Sequence, residues 1–397
     1  MSKQVLTGLQ KLIDSKELQN KYTGNIGLLC HSASVDKNYD HSLVKFIEMF
    51  GKKVVKVFGP QHGFVSDVQD NMIETDHFTH PYFNLPVYSL YSETRKPTDA
   101  MLEGIDHLFI DLQDVGTRIY TYIYTMTYVL EACANKNIEV IILDRPNPVN
   151  AQDVEGNVLD TNFASFVGRH PIPVRHGLTM GEVARMHQKY WTDKKCKIDI
   201  IKMEGYTRNM YFEHTLLPWV MPSPNLPTSE GCLTFVGTVL FEGTNISEGR
   251  GTTRSLEIIG HPKINPWTFK TKMDEVFKEN CLSGFVLRPI NFQPTFQKHA
   301  GITCGGFQIH VTDRQTFKPW RVSQILCREL RNILGEDFKY KEDAYEYGKG
   351  QHPLDMINGT DKLRTWLENN GSLQDLNSIE FEHLSKYLEQ RIEIIIY

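Results

Sequence analysis

Six short apolar runs punctuate the first half of the chain, at residues 25–30, 53–58, 85–90, 107–112, 139–143 and 197–203. Several are rich in Val and Ile, and most lack the polar/apolar alternation of half-exposed strands. Runs of this kind fit parallel strands covered on both faces. Between them, residues 41–50, 99–104, 122–135 and 180–191 carry amphipathic helical patterning. The last of these begins Thr179-Met180-Gly181-Glu182. That spacing predicts a capping box, in which hydroxyl and carboxylate satisfy each other's free backbone N–H groups. Alternating strands and helices predict a doubly wound α/β domain.

The pattern breaks at 222–227 with three prolines in six residues, and a stretch of small residues follows at 241–253. From about His261 the text changes. It predicts a helix at 266–280, strands at 284–290 and 306–311, a helix at 322–334 and a terminal helix at 379–392. We read residues 1–260 as the α/β domain and 261–397 as a smaller α+β domain.

Composition narrows the function classes. Of 397 residues, 40% are hydrophobic and 23% charged, ordinary for a soluble globular chain. The net charge of -5, without a basic cluster, argues against nucleic-acid binding. No run approaches the ~20 apolar residues of a membrane span. The opening Met1-Ser2-Lys3-Gln4-Val5-Leu6-Thr7 lacks the apolar core of a signal peptide, so a cytoplasmic location is expected. The seven cysteines are scattered and never form Cys-x-x-Cys, which fits small buried apolar residues.

Polar turns follow five of the predicted strands: His31–Asp36, Gly59–Gly63, Tyr91–Pro97, Asp111–Arg118 and Asp144–Pro148. Ligands of open α/β sheets bind beyond the carboxyl ends of the strands. A cleft is therefore expected there, lined by His62, Glu74, Asp114, Arg118, Asp144, Arg145 and residues 245–250. No Gly-x-Gly-x-x-Gly, P-loop, Gly-x-Ser-x-Gly or His-Glu-x-x-His motif occurs, so neither a nucleotide cofactor nor a serine nucleophile is expected. His77-x-x-His80 is the tightest histidine pair, reads as a solvated loop, and leaves no metal site expected. Two carboxylate sets stand out: Asp70-Asn71-Met72-Ile73-Glu74-Thr75, and the glycine-rich Glu242-Gly243-Thr244-Asn245-Ile246-Ser247-Glu248-Gly249-Arg250-Gly251-Thr252-Thr253. Glycoside hydrolysis typically sets two carboxyl groups across the scissile bond. The second set also reads as an interdomain hinge. Tyr120, Tyr122, Tyr124 and Tyr128 beside Arg118 read either as a helix packed on the sheet or as a sugar-stacking surface. In the second reading Arg118 forks onto an anionic group.

Taken in order, these segments resemble the YbbC-like family of exo-β-N-acetylmuramidases, once a domain of unknown function. The match runs through Gly59-Pro60-Gln61-His62-Gly63, Pro86–Tyr91, Asp111–Arg118, Tyr120–Met126, Leu143–Pro148, Val154-Glu155-Gly156, Pro222–Thr228 and Glu242–Thr253. Pro294-Thr295-Phe296 and Val311-Thr312-Asp313 extend it into the second domain. The resemblance implies a Rossmann-like domain with a smaller carboxyl-terminal domain. It also implies release of N-acetylmuramic acid from the non-reducing end of peptidoglycan fragments, with no cofactor. Gln61, Asp114, Arg118, Tyr120, Tyr122, Asp144, Arg145, Asn147, Asn225, Asn245 and Arg250 then become the expected substrate-binding set. The lactyl carboxylate of the sugar would occupy Arg118, Arg145 or Arg250.

One position departs from the family. Its pattern reads Gly-Pro-Glu-His-Gly, whereas this chain carries Gln61. An amide neither donates nor accepts a catalytic proton as a carboxyl group does. Three readings follow: another carboxylate acts, the protein binds a sugar without cleaving it, or the substrate's own acetamido oxygen is the nucleophile. For the first, Glu74 is the leading acid/base candidate and Glu248 the reserve, with His62 beside them.

Overall fold

The computed structural model describes residues 4–70, 72–346, 348 and 350–397. Met1–Lys3 of the amino-terminal reading and Asn71 of the first carboxylate set lie outside the described residues. The strands in chain order are β1 Ile26–Cys30, β2 Val54–Gly59, β3 Phe78–Thr79, β4 Pro86–Ser89, β5 His107–Asp111, β6 Glu139–Leu143, β7 Glu155–Val158, β8 Pro173–Arg175, β9 Ile198–Ile201, β10 Ile258–His261, β11 Phe285–Phe292 and β12 Cys304–Val311. All six predicted runs of the first half are strands. With the short strand β3, which the patterning did not predict, they form one seven-stranded sheet in the order β3-β4-β2-β1-β5-β6-β9. Its pairings are parallel except at the short edge strand β3.

Burial on both faces explains the unalternating runs. Every residue of β1 is buried. On one side Leu28, Phe109 and Ile141 pack with Leu9, Leu12 and Phe46. On the other, Leu29, Leu108, Ile110 and Ile142 pack with Ile123, Met126 and Leu130. That second cluster continues through Phe241 to Phe307, Trp320 and Trp366, so the two units share one core. The carboxyl-terminal unit is a three-stranded antiparallel sheet, β10-β12-β11, with helices packed against it.

Of the elements that differ from the patterning, three are instructive. Helix Ser229–Thr238 was not predicted, because two glycines, two threonines and a valine weaken its helical propensity. Gly237 is there for closeness: a Cβ would lie 2.0 Å from the Pro319 carbonyl oxygen of helix Pro319–Leu334. The expected terminal helix is two, Leu373–Phe381 and Leu384–Ile392. They are separated where His383 takes a left-handed φ of 62°. The predicted segment 180–191 is helical throughout, starting with the expected Thr179/Glu182 capping box and ending as a π-helix, His187–Trp191.

Two arginines lock the frame. Arg145, just beyond β6, holds Asp111 at the end of β5 through Nε (2.6 Å) and Nη2 (2.8 Å), with both side chains buried. Arg118 is fully buried and donates to the carbonyls of Asn157, Ile172, Ile357 and Asn358, tying the first unit to helix Pro353–Asn358. Removing one partner of a buried ion pair leaves an uncompensated charge. Arg145→Met is therefore expected to cost about 3–5 kcal/mol in urea denaturation. A loss under about 1 kcal/mol, the usual ceiling for an exposed pair, would contradict this role.

Candidate active site

The turn after β2 begins the site. Gly63 N–H closes it onto Pro60 O at 2.9 Å. His62 and Gly63 take φ values of 67° and 73°. This sharp reversal presents Gln61 and His62 beyond the strand end. The Gln61 side-chain oxygen accepts from Thr121 Oγ1 at 2.6 Å, and its amide donates to Glu346 Oε1 at 3.0 Å. The other Glu346 oxygen accepts from Tyr91 OH at 2.7 Å. Glu346 is 5% exposed. Burial pushes its carboxyl above the usual range, against the pull of the Tyr91 and Gln61 donors.

The second carboxylate, Glu242, lines the same cavity. Glu242 closes the 3-10 turn Val239–Gly243. Arg250 Nη2 donates to its Oε1, and Tyr345 OH to its Oε2, each at 2.5 Å. Burial would raise this carboxyl too, but Arg250, Tyr345 and Lys298 outweigh it and hold Glu242 below the usual carboxylate range. The glycine-rich turn sets the arrangement. Gly251, at φ 80°, lies against the backbone of Thr295 and Phe296, where a Cβ would meet both nitrogens at 2.8 Å. Lys298 follows that contact and donates to Glu248 Oε2 at 2.7 Å and to the carbonyls of Phe241 and Ile246.

Glu242 and Tyr345 divide the cleft into two compartments. The inner one, about 50 Å³, is lined by Gln61, His62, Tyr120, Thr121, Tyr122, Asn225, Arg250 and Glu346 among others. It has room for water molecules. The outer one, about 370 Å³, is lined by Asp70, Met72, Glu248, Gln297, Lys298 and Lys341 as well as the dividing pair. Its size falls in the small-ligand range of ~300–1,000 Å³. Left-handed backbone clusters here, at His62, Met72, Gln297, His299 and Glu346. Such conformations are retained where the surroundings over-determine them. Burial first, then Arg250, lowers the His62 imidazole to about 4, so this ring is neutral at pH 7.

Of the residues expected from the sequence, Gln61, His62, Tyr120, Tyr122, Asn225, Glu248 and Arg250 line the cleft. Tyr122 presents its ring, since its hydroxyl donates to Pro222 O at 2.7 Å. Asn225 holds the loops together, donating to Gln69 O and accepting from Ser255 Oγ. The others are placed elsewhere. Glu74 is exposed on the surface and pairs with Arg95 at 3.0 Å. Arg118 and Arg145 spend their guanidinium donors on the carbonyls and on Asp111 as above. Asp114 caps Gly116 N–H at 2.7 Å. Asp144 accepts from Thr179 Oγ1, Gly181 N and Tyr397 OH, and burial lifts it to about 6. Asn147 braces Leu178 O and Val149 N. Asn245 pairs with residues 337–339, donating to Asp337 O and accepting from Lys339 N. The cleft thus draws on two strand ends of the first unit, after β2 and β5, rather than on five.

Glu346, Glu242, Tyr345 and Lys341 were not singled out individually by the sequence. Glu242 stood inside a named motif. Glu346 lies 285 residues from its partner Gln61 in a polar stretch without periodicity. Among the described residues no group of three or more His, Cys, Asp or Glu side chains could hold a metal ion.

Comparison with known proteins adds the following. The family described as exo-beta-N-acetylmuramidase NamZ, N-terminal, matches residues 26–230, and its C-terminal counterpart matches residues 233–397. A Bacillus subtilis (strain 168) protein, peptidoglycan beta-N-acetylmuramidase NamZ, is 38% identical over 395 residues, spanning 99% of this chain and 91% of its own length. Two crystal structures of DUF1343 family proteins from Bacteroides fragilis NCTC 9343 share the fold. One has a TM-score of 0.87 at 27% identity, covering 99% of both chains. The other has a TM-score of 0.75 at 26% identity, covering 100% of this chain and 99% of its own.

Proposed function

The chain belongs to the NamZ family of exo-β-N-acetylmuramidases, and on that premise we propose that Glu346 is its general acid and Glu242 the anionic carboxylate of the same cavity. It is a glycoside hydrolase acting on peptidoglycan. The substrate is a saccharide with N-acetylmuramic acid at its non-reducing end. Full-length similarity to a peptidoglycan β-N-acetylmuramidase favours catalysis over silent sugar binding.

One observation carries the assignment. Two carboxylates line one compartment, and their surroundings push their pKa values apart, Glu346 up and Glu242 down. A carboxyl kept protonated can protonate the leaving oxygen. A carboxylate kept ionised can stabilise an oxocarbenium-like transition state or activate water. Gln61 and Tyr91 orient the Glu346 carboxyl. Neutral His62 and the Tyr120 and Tyr122 rings shape the inner wall. Glu248 serves as a counter-charge that positions Arg250 and Lys298. Glu74 stays outside the reaction, since its carboxylate is exposed and engaged by Arg95.

Two observations support a division between the two units near residue 230. Helix Ser229–Thr238 packs on Pro319–Leu334, and β10 belongs to the second sheet. No helix among the described residues is long and apolar enough to cross a membrane. Seven free thiols suit a reducing compartment, which supports the cytoplasm as the place of action.

Glu346→Gln and Glu242→Gln should each lower kcat on a chromogenic N-acetylmuramide by about 10²–10⁴-fold with the fold intact. The wild-type pH profile should be a bell. Activity falls on the acid side as Glu242 takes up a proton, at a pH below the ordinary glutamate pKa. It falls on the alkaline side as Glu346, whose pKa is raised, loses its proton. Glu346→Gln should erase the alkaline limb, and persistence of that limb with near-full kcat would move the acid role elsewhere.

Glu74→Gln should leave kcat within a few-fold of wild type, as expected for an exposed ion pair worth about 0–1 kcal/mol. A loss of the size reserved for a positioned acid would restore Glu74 to the reaction.

A further inference from the structure

We propose that the outer compartment binds the carboxylate of the substrate's lactyl group and that Lys341 is the cation that receives it. This rests on the muramidase reading above. Three cations line the cleft among the described residues: Arg250, Lys298 and Lys341. The first two are already engaged. Arg250 bonds Glu242 and lies 3.3 Å from Glu248, and Lys298 bonds Glu248 and two backbone carbonyls. The two internal carboxylates and two internal cations therefore balance. Asp70, the remaining acid of the compartment, accepts from the Gln297 amide. Asp70 and Lys341 are left with opposite charges and no ion pair between them, and Lys341 has no carboxylate within ion-pair distance among the described residues, so its ammonium is the unpaired cation of the compartment.

Its position is built by the backbone. Asn245 N–H donates to Lys339 O, and Lys341 N–H donates to Gly243 O, each at 2.9 Å. This pairing sets Lys341 directly beside the residue that follows Glu242. In muramic acid the lactyl ether is carried on C3, two ring carbons from the anomeric centre. A sugar with its anomeric carbon at Glu242 carries its carboxylate within one ring's width of that point, on the side where the cleft has room. A lysine is a point charge on a flexible stem, suited to a carboxylate on a rotatable ether. Lys341 thereby selects an acidic N-acetylhexosamine over a neutral one.

The test is calorimetric titration of the whole protein with N-acetylmuramic acid and with its lactyl methyl ester, which differ in charge at this one group. Wild type should bind the acid about 10–100-fold more tightly, the range of a charge-assisted hydrogen bond. Lys341→Met should reduce the preference to within about twofold by removing that bond, while Lys341→Arg keeps it. Equal binding of acid and ester by wild type overturns the proposal, as does an undiminished preference in Lys341→Met. A wild type that hydrolyses a muramide but ignores the charge defeats this inference alone. A wild type that neither binds nor hydrolyses muramides defeats the muramidase site and this inference together.

Discussion

Three charges are buried side by side where the two units meet, Glu242, Arg250 and Glu248, and the half-buried Lys298 completes the set. None could be buried alone, because taking an unpaired charge out of water costs several kcal/mol. Their mutual pairing is what the surrounding chain is shaped to deliver. The glycine-rich turn swings Arg250 between the two glutamates. The close approach of Gly251 to Thr295 and Phe296 fixes the corner that supplies Lys298. With this network in place, Glu242 stays ionised in a site whose burial would otherwise neutralise it.

Glu346 has the same side chain and the opposite fate. Its partners are an amide and a phenol, which donate hydrogen bonds but bring no charge. Burial therefore prevails and raises the carboxyl above the usual glutamate range. The identity of residue 61 bears on this directly. A glutamate there would set a second carboxylate about 3.0 Å from Glu346, and two like charges at that distance cannot both ionise. An amide removes the competition and leaves a single carboxyl to titrate. In this chain the loss of an acid at position 61 is thus accompanied by a neighbouring acid whose environment suits the task.

Much of the frame was legible from patterning, because strands buried on both faces leave unmistakable apolar runs and the Thr179 capping box follows from local chemistry. Gln61, His62 and the 242–253 turn were legible as motifs. The arginines were misleading. A buried Arg118 donating to four carbonyls and an Arg145 clasping Asp111 carry the same letters as anion-binding residues. Only tertiary structure reveals that their donors are spent. Glu346 was illegible for the converse reason. Its environment is assembled from Gln61, Tyr91 and Glu242, all at least a hundred residues away, and nothing in its own stretch signals burial.

Titration of the Glu346 side-chain carboxyl tests the account most directly. Carbon-13 NMR of glutamate-labelled protein, with Glu346→Gln and Glu242→Gln to assign the two resonances, reports both carboxyls in one experiment. The account predicts a Glu346 midpoint above the ordinary value of 4.5 and a Glu242 midpoint below it. A Glu346 midpoint at or below 4.5, or a reversal of the two, would contradict it.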